Sequence, residues 1–349
     1  MKKIGFLLGS LAGAGAEKTI LTLASKLYEL GNQVHLVVLK NAKDYKVVEG
    51  LNIHVVTDYA KNENKGLSEI AKEIGMLDLF VTSRAEYYEA LTAKQRFCSV
   101  HITPTAWLKK RNFFFKWKTL IQTIKLKHKF ANKNLIALSE GIKTDLVDNL
   151  DVDEKRITVI NNPFDIAKIQ NQALEHFEQS KEVGEYIVYV SALIPRKRHS
   201  DLFHAFSKMQ NKSIKLVLVG KGALKERLEN LAKQLKIDDR VVFWPWDPNP
   251  YRLIKNARLS VLVSEAEGLP RVLIESIIIG TKVVSTDCPS GPNEVLLGEN
   301  SKYLVPIGDV NKLSLVLDDA LINNEQQIFD FDRFDATKVA KAYEGLIND

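Results

Sequence analysis

The sequence has little cysteine and no long apolar run. Only two cysteines, Cys98 and Cys288, occur among the 349 residues, and they lie far apart. Neither belongs to a Cys-x-x-Cys pair, which excludes the usual structural zinc motifs and favours a reducing compartment. No stretch approaches the roughly 20 apolar residues of a membrane-spanning helix, and the first residues are not typical of a signal peptide. We therefore expect a cytoplasmic protein without a transmembrane segment.

Histidine-based metal-ligand patterns are missing as well. The seven histidines show no metal-site spacing with cysteines or carboxylates, and no His-x-x-x-His pair flanks a glutamate. The formal net charge is only +6, so the distribution of charge along the chain matters more than its total. We expect no metal site and no bound cofactor.

Short apolar runs alternate with helical patterns along most of the chain. A single hydrophobic core usually stops growing at about 250–300 residues, so this length favours two domains. The alternation predicts parallel sheets. It is interrupted by a polar stretch after Asn161-Asn162-Pro163-Phe164-Asp165 and begins again after Gly184. The strand candidates are residues 3–8, 34–39, 53–56, 77–82, 97–102 and 135–138, followed by 186–191, 215–219, 240–243, 259–263 and 282–285.

The predicted fold class is α/β, with two Rossmann-like, doubly wound parallel-sheet domains facing across a cleft. The domains are residues 1–165 and 166–330, and an amphipathic helix within residues 331–349 could pack on either domain, including back on the first. Open sheets of this kind bind ligands beyond the carboxyl ends of their strands, so functional residues are sought on the loops that follow strands.

The first such loop is rich in small residues and runs from Gly9 to Lys18. It resembles a dinucleotide-binding fingerprint, but Lys18 occupies the place of the third glycine, and Lys40 stands where an NAD site needs an acid. Both departures argue against a nicotinamide cofactor. The backbone near Gly15 and Ala16 could approach another ligand at a helix start, and a tight turn without a ligand is the alternative.

Two glutamates eight residues apart form the strongest constellation. Glu267 lies in a loop before a helix that Pro270 can begin, and Glu275 lies about one turn inside that helix. The free amides and the dipole of the first turn suit a diphosphate, and carboxylates accept hydrogen bonds from sugar hydroxyls. Helix-start charges that only complement the macrodipole are the alternative interpretation.

This spacing resembles the Glu-x7-Glu signature of retaining glycosyltransferases of family 4, which have the GT-B fold. The resemblance extends over most of the chain. It includes the opening glycine-rich turn, Ser139-Glu140-Gly141 and Asn161-Asn162-Pro163. Two further segments, Asn249-Pro250-Tyr251 and the segment from Cys288 to Glu294, look like the branch that acts on bacterial surface polysaccharides.

The resemblance implies a role for each matching residue. Glu275 would accept the ribose hydroxyls of the donor nucleotide, and Glu267 would approach the transferred sugar. Lys197 would neutralise the leaving diphosphate. His101, after a strand end, would approach the donor sugar, although a lone histidine is often structural. The implied donor-binding residues are Gly15, Ala16, Arg196, Lys197, Arg198, Gly268, Leu269, Arg271, Val272 and Glu275.

The chain departs from the family pattern at one position. Family members usually pair the lysine with an arginine where this chain has Ala192. Arg196 or Arg198 would then have to supply the second cation. A basic cluster after a strand can also be an ordinary solvated loop.

A basic stretch with an aromatic face runs from Trp107 to Lys133. It contains nine lysines or arginines and no acid. Such a helix can lie in an anionic membrane interface. An apolar face that completes the core is the alternative, and nucleic acid is disfavoured because no recognition motif accompanies the charges. The candidate membrane-side or acceptor-side residues are Lys109, Lys110, Arg111, Phe114, Trp117 and Lys118.

The activity that the resemblance implies is retaining transfer of a hexosyl or N-acetylhexosaminyl group from a nucleotide sugar, expected to be UDP-linked, to a saccharide or lipid-linked acceptor. The reaction would need no metal and would occur at the inner face of the cytoplasmic membrane, in lipopolysaccharide, capsule or glycan biosynthesis. A UDP-sugar epimerase of the same architecture and a non-catalytic sugar-nucleotide or membrane-binding module are the alternatives.

Overall fold

The computed structural model describes residues 1–12, 15–42, 48–56, 59–106, 108, 116–176, 183–323, 325 and 327–347. By its internal contacts the chain divides into two compact units. The first comprises Met1–Asp165 and Asp332–Asp349, and the second comprises Ile166–Phe331.

The first unit contains a seven-stranded sheet in which every neighbouring pair is parallel. The strand order is β3-β2-β1-β4-β5-β6-β7. The order reverses between β1 and β4, which is the position where doubly wound sheets bind ligands. The strands are β1 (Lys3–Leu8), β2 (Gln33–Val38), β3 (Asn52–Val55), β4 (Leu77–Thr82), β5 (Ala93–Val100), β6 (Leu135–Ala137) and β7 (Ile157–Val159).

Amphipathic helices cover this sheet. In α1, residues Ile20, Leu23 and Leu27 share the buried face and pack with strand residues in the core. The final helix of the chain packs on α1 and adds Tyr343 to the same core. The helices of the first unit are α1 (Gly15–Glu29), α2 (Tyr59–Ile74), α3 (Lys116–Phe130), α4 (Glu140–Leu150) and the final helix α12 (Ala336–Gly345).

The second unit contains a six-stranded sheet, again entirely parallel, in the order β10-β9-β8-β11-β12-β13. Its order reverses between β8 and β11. The strands are β8 (Tyr186–Val190), β9 (Lys215–Val219), β10 (Val241–Trp244), β11 (Leu259–Leu262), β12 (Val283–Thr286) and β13 (Leu304–Val305). The helices are α5 (Ile166–Ala173), α6 (His199–Lys208), α7 (Lys225–Gln234), α8 (Tyr251–Asn256), α9 (Arg271–Ile279), α10 (Pro292–Val295) and α11 (Val310–Ile322).

The predicted fold class is confirmed: each unit is a doubly wound α/β structure with a parallel sheet. The sequence did not predict two strands, because only Ile157 of the three residues in β7 is buried and β13 has only two residues. The predicted start of β5 was also wrong. Its first half contains Lys94, Gln95 and Arg96, whose polar side chains mask the strand, and the strand begins at Ala93 rather than Phe97.

Candidate active site

The candidate site lies at the carboxyl ends of β8 and β11, the two strands between which the order of the second sheet reverses. Tyr189, on β8, joins the two loops that follow these strands. Its buried hydroxyl lies 2.6 Å from the carbonyl oxygen of Val263 and 2.9 Å from that of Lys197. Burial raises the pKa of Tyr189 well above its ordinary value, so the hydroxyl stays protonated and serves as a structural tie.

Lys197 and Glu267 form an ion pair in these loops. The Lys197 Nζ to Glu267 Oε1 distance is 2.6 Å, and the two side chains are only 15% and 10% exposed. A charge pair so far removed from water must be held accurately by its surroundings, because either charge alone would carry a desolvation cost of several kcal/mol. The structure therefore brings together two of the residues to which the sequence analysis assigned catalytic roles.

The backbone of Glu267 is held from the other side by the loop after β12. Its amide donates to the carbonyl oxygen of Pro289 at 2.8 Å, and its own carbonyl accepts from the Ser290 amide at 3.2 Å. Gly291 follows at φ +96°, and a Cβ there would lie 2.7 Å from both the Gly268 oxygen and Pro270 Cδ. Only glycine permits this approach, so Gly291 is needed to shape the 263–270 loop.

Helix α9 begins directly after this loop. Pro270 is its N-cap and provides no side-chain hydrogen bond, so the amides of the first turn are not capped by that side chain. Leu269 and Arg271 are buried beside the turn, while Val272 is half-buried. The helix start therefore offers backbone donors and a favourable dipole for an anionic group, as the sequence analysis expected for this segment.

Glu275 lies one turn inside α9 and is buried. Its Oε1 accepts from the Tyr251 hydroxyl at 3.1 Å and lies 3.4 Å from Nη2 of Arg271. The carboxylate is thus held by a neutral donor from α8 and a cation from its own helix.

The two arginines beside Lys197 differ in their contacts. Arg196 donates from Nη1 to the Ala266 carbonyl at 3.4 Å, and its own carbonyl accepts from the Glu265 amide at 2.9 Å. Arg198 instead contacts Asp201 through Nε and Nη2, each 2.6 Å from Oδ2. Arg196 thus lies against the Glu267 loop, whereas Arg198 closes the start of α6.

His199 is a site neighbour that the sequence analysis did not single out. It is fully buried, its Nε2 lies 3.0 Å from the Ser191 hydroxyl, and its ring stacks obliquely on Tyr189 at 5.0 Å between centroids. Burial, helped by the charge of Lys197, lowers the pKa of His199 to about 4. Cys288 is buried nearby, and burial raises the pKa of its thiol, so the thiol is kept neutral.

The first unit holds the remaining candidates. Gly15 and Ala16 form the first turn of α1, and the Thr19 hydroxyl lies 2.8 Å from the Gly15 carbonyl and 3.4 Å from Asn162 Oδ1. His101 follows β5, and its Nε2 lies 3.0 Å from the Ser99 hydroxyl.

Helix α3 carries the described part of the basic stretch. Trp117 is 74% and Leu120 59% exposed, with Ile121 and Ile124 exposed on the same face. Lys118 is also exposed. The described apolar face of α3 is therefore not part of the core. Lys109, Lys110, Arg111 and Phe114 lie outside the described residues.

Among the described residues, no group of three or more histidines, cysteines and carboxylates could hold a metal ion. Asp-x-Asp, the manganese signature of the other major glycosyltransferase fold, occurs as a tripeptide at residues 151–153 and 330–332. Asp151 and Asp332 pair with lysines, and Asp153 accepts from the Lys155 amide, so these three act in local pairing and capping.

Several site residues could not be found by sequence reasoning. Tyr189, Tyr251, Ser290 and Gly291 act through hydroxyl or backbone contacts between segments remote in sequence. The sequence signal for three of them is that Tyr251, Ser290 and Gly291 belong to segments that carry the family resemblance, which assigns them no individual role.

Structural neighbours share this architecture over essentially the whole chain. HepE from Anabaena, solved in complex with UDP-glucose, has a TM-score of 0.75 at 16% identity and covers 100% of both chains. WaaG, a glycosyltransferase involved in lipopolysaccharide biosynthesis, has a TM-score of 0.70 at 16% identity and covers 99% of this chain and 95% of that chain. The two units with parallel sheets, together with these structural neighbours, show that the chain has the GT-B class of fold.

Sequence comparisons lead to the family. Residues 170–328 match the model described as "Glycosyl transferases group 1". A 4-alpha-N-acetylgalactosaminyltransferase of Campylobacter jejuni, which acts on a diphospho-undecaprenol-linked saccharide, is 27% identical over 332 residues, covering 90% of this chain and 88% of that protein. The lipopolysaccharide 1,6-galactosyltransferase of Escherichia coli K12 is 30% identical over 181 residues, covering 50% of this chain and 48% of that enzyme. Residues 170–328, which lie within the second unit, therefore match the group 1 glycosyltransferases, and the chain as a whole has the GT-B fold.

None of the helices in the described part of the chain has the length and apolarity needed to cross a membrane.

Proposed function

We propose that this glycosyltransferase moves a sugar from a UDP-sugar to a saccharide or lipid-linked acceptor in the synthesis of a bacterial surface polysaccharide or glycan, with retention of anomeric configuration. The observation that carries the proposal is the Lys197–Glu267 pair, held beside the start of α9 at the point where the second sheet reverses its strand order.

The donor is assigned from the charges of the site. A nucleoside diphosphate needs cations and backbone donors, which Lys197, Arg196 and the first turn of α9 provide. HepE, which has the same fold, was solved with UDP-glucose. As the sugar leaves, negative charge grows on the diphosphate, and Lys197 would stabilise it where it develops.

The acids have separate roles in this proposal. Glu275, fixed on α9, accepts the ribose hydroxyls of the nucleotide, and Glu267 accepts from the transferred sugar together with amides of residues 268–272. When the diphosphate binds, Lys197 exchanges part of its contact with Glu267 for the phosphate oxygens. His101 is proposed to hydrogen-bond the donor sugar. The cations make a metal ion unnecessary, so transfer should persist in EDTA.

The acceptor is proposed from the relatives. The Campylobacter jejuni enzyme acts on an undecaprenol-linked saccharide, and a Staphylococcus aureus relative, 26% identical over 188 residues, is a poly(ribitol-phosphate) alpha-N-acetylglucosaminyltransferase. Transfer of a hexosyl or N-acetylhexosaminyl group to a polyprenol-linked saccharide is therefore the activity to test first.

The test is a coupled measurement of UDP release from UDP-glucose, UDP-galactose, UDP-GlcNAc and UDP-GalNAc, with and without polyprenol-linked saccharide acceptors. We expect acceptor-dependent release with one of these donors and a product whose anomeric proton shows retention by NMR. Conversion of the donor sugar without an acceptor would indicate an epimerase instead. Binding of UDP-sugars with neither transfer nor slow hydrolysis would indicate a non-catalytic module.

The site assignment is tested by Glu275→Ala and by the milder Glu275→Gln. Both should weaken UDP binding measured by calorimetry, because the ribose hydroxyls lose their acceptor charge. The matched control is Glu229→Ala, which removes an exposed acid from α7 and should leave UDP affinity unchanged. UDP affinity retained in both Glu275 variants would contradict the assignment.

Association with the inner membrane surface is proposed from α3, where exposed Trp117, Leu120 and Ile124 accompany exposed lysines. The protein should co-sediment with vesicles containing phosphatidylglycerol, and less with phosphatidylcholine alone. The triple variant W117S/L120S/I124S should lose this binding. Leu315→Ser removes an equally exposed apolar side chain from α11 and should retain it. Indifference of the wild type to both vesicles would overturn the membrane proposal.

A further inference from the structure

Tyr251 has no role in the proposed function so far, yet it contacts the acid to which the ribose is assigned. Its side chain is buried, and its hydroxyl donates to Glu275 Oε1 at 3.1 Å. Arg271 approaches the same oxygen at 3.4 Å. A carboxylate oxygen engaged by two donors cannot turn about the Cγ–Cδ bond without breaking both contacts, so the plane of the carboxylate is fixed.

The position of Tyr251 is itself fixed by a network within the second unit. The Asn249 side chain accepts from the Tyr251 amide at 3.3 Å and donates to the Gln172 carbonyl at 3.1 Å and to Glu175 Oε2 at 2.8 Å. These contacts attach the start of α8 to the segment around the end of α5. The Asn249-Pro250-Tyr251 motif therefore holds Tyr251 in place against Glu275.

We propose that Tyr251 is a positioning residue that orients the Glu275 carboxylate toward the ribose diol of the donor, and so sets the preference for ribonucleotides. This inference rests on the proposed function, because it deepens the role given to Glu275. A diol is recognised best by a carboxylate in one fixed plane, since two hydroxyls can then donate with good geometry at once. A rotating carboxylate would satisfy only one hydroxyl at a time.

The test is Tyr251→Phe, which keeps the ring and removes only the hydroxyl. Calorimetry with UDP and with 2′,3′-dideoxy-UDP separates positioning from packing. We expect Tyr251→Phe to bind UDP roughly 5- to 20-fold more weakly, because a hydrogen bond to a charged group is lost. Binding of the dideoxy compound should stay near the wild-type value, since that compound has no diol to be positioned against.

A matched control is available in Tyr186. Its buried hydroxyl donates to the Leu253 carbonyl of α8 at 2.7 Å. Tyr186→Phe therefore removes a comparable buried hydrogen bond to the same helix without touching Glu275, and it should leave the preference for UDP over the dideoxy compound unchanged.

The outcomes separate the inference from the proposed function. Equal weakening of both ligands by Tyr251→Phe, or the same loss of preference in Tyr186→Phe, would show a merely structural role and overturn the inference. If Tyr251→Phe keeps wild-type UDP affinity while Glu275→Ala loses it, the inference fails and the role of Glu275 stands. If Glu275→Ala and Glu275→Gln both bind UDP like the wild type, the site assignment fails, and the inference with it.

Discussion

Lys197 is the residue on which the proposed chemistry depends most. Its side chain is only 15% exposed and lies against Glu267, so its charge acts where water screens little. Removing a preorganised donor to a developing anion commonly lowers kcat by about 100- to 1,000-fold. We expect Lys197→Ala to lower kcat/KM for transfer by that order. The measurement is UDP release under first-order conditions.

The control for this prediction is Lys225→Ala, which removes an exposed lysine from α7. Its kcat/KM should equal that of the wild type. Circular dichroism should confirm that the Lys197 variant is folded, because an unpaired Glu267 is costly to bury. A folded Lys197→Ala protein with wild-type kcat/KM would show that the lysine has no part in the mechanism.

His199 makes stability depend on pH. Its pKa is about 4 in the folded protein and near 6.5 when unfolded, so between these values the unfolded state binds more protons. Stability is therefore fully present above about pH 6.5 and falls as the pH decreases toward 4. This one group should contribute a loss of about 2 kcal/mol or less between pH 7.5 and 5.

The check is urea unfolding at both pH values for the wild type, His199→Gln and His128→Gln. The His199 variant should lose part of the dependence on pH, whereas His128, which is exposed on α3, should not matter. An unchanged dependence in His199→Gln would show that other groups control acid stability. His35 is a second candidate, since burial also lowers its pKa to about 4.

At the scale of elements, the loops after strands create the site, and their packing can be perturbed at one glycine. A Cβ on Gly291 would collide with the backbone of Gly268 and Leu269 and with the ring of Pro270. We expect Gly291→Ala to displace the Glu267 loop and to weaken UDP binding and transfer by roughly tenfold or more, because a displacement of about 1 Å can cost 100-fold in rate.

Gly298→Ala is the matched control. Gly298 also has a positive φ, of 55°, but a Cβ there meets nothing within 4 Å. The control should lose about 1 kcal/mol of stability and keep its activity. Equal activity losses in the two variants would show that backbone strain alone, and not the contact with the loop, explains the effect.

Elements were largely predictable from sequence where apolar runs were long and bounded by turns. Residues 3–8, 77–82 and 215–219 are strands with the predicted bounds. Prediction failed for β7, where only Ile157 is buried, and for β13, which has two residues, because such pairings depend on the neighbouring strand rather than on a local apolar pattern. It failed at the start of β5 because strand pairing there overrides polar side chains.

The candidate site was predictable only in part, for a related reason. Glu267, Glu275 and Lys197 stand in motifs with fixed spacing, so their residue types drew attention, and their roles are still predictions. Tyr189 and Tyr251 look like ordinary core tyrosines in sequence. Their functions follow from which carbonyl or carboxylate lies opposite the hydroxyl, and that is decided by tertiary packing.

At the scale of the whole molecule, the last helix of the chain is part of the first unit. Helix α12 follows the second unit in sequence but packs on α1 of the first. Tyr343 is buried in that core, with its ring centroid 6.5 Å from that of Phe6.

Tyr343→Ala should therefore destabilise the first unit by about 3–5 kcal/mol, as large-to-small changes of aromatic core residues do. Leu315→Ala, at an exposed position on α11, should change the free energy of unfolding by less than about 0.5 kcal/mol. Denaturant unfolding measures both. A Tyr343 variant as stable as the wild type would mean that α12 contributes little to the first unit.

The central claim is that an anionic diphosphate binds at the first turn of α9, between Glu267 and Glu275 and against Lys197. A crystal structure of the protein with bound UDP tests it most directly. The account predicts phosphate oxygens within hydrogen-bonding distance of Lys197 Nζ and of amides in the first turn of α9, with the ribose hydroxyls on the Glu275 carboxylate. A nucleotide bound elsewhere, or one that leaves both Glu275 and Lys197 without contact, would contradict it.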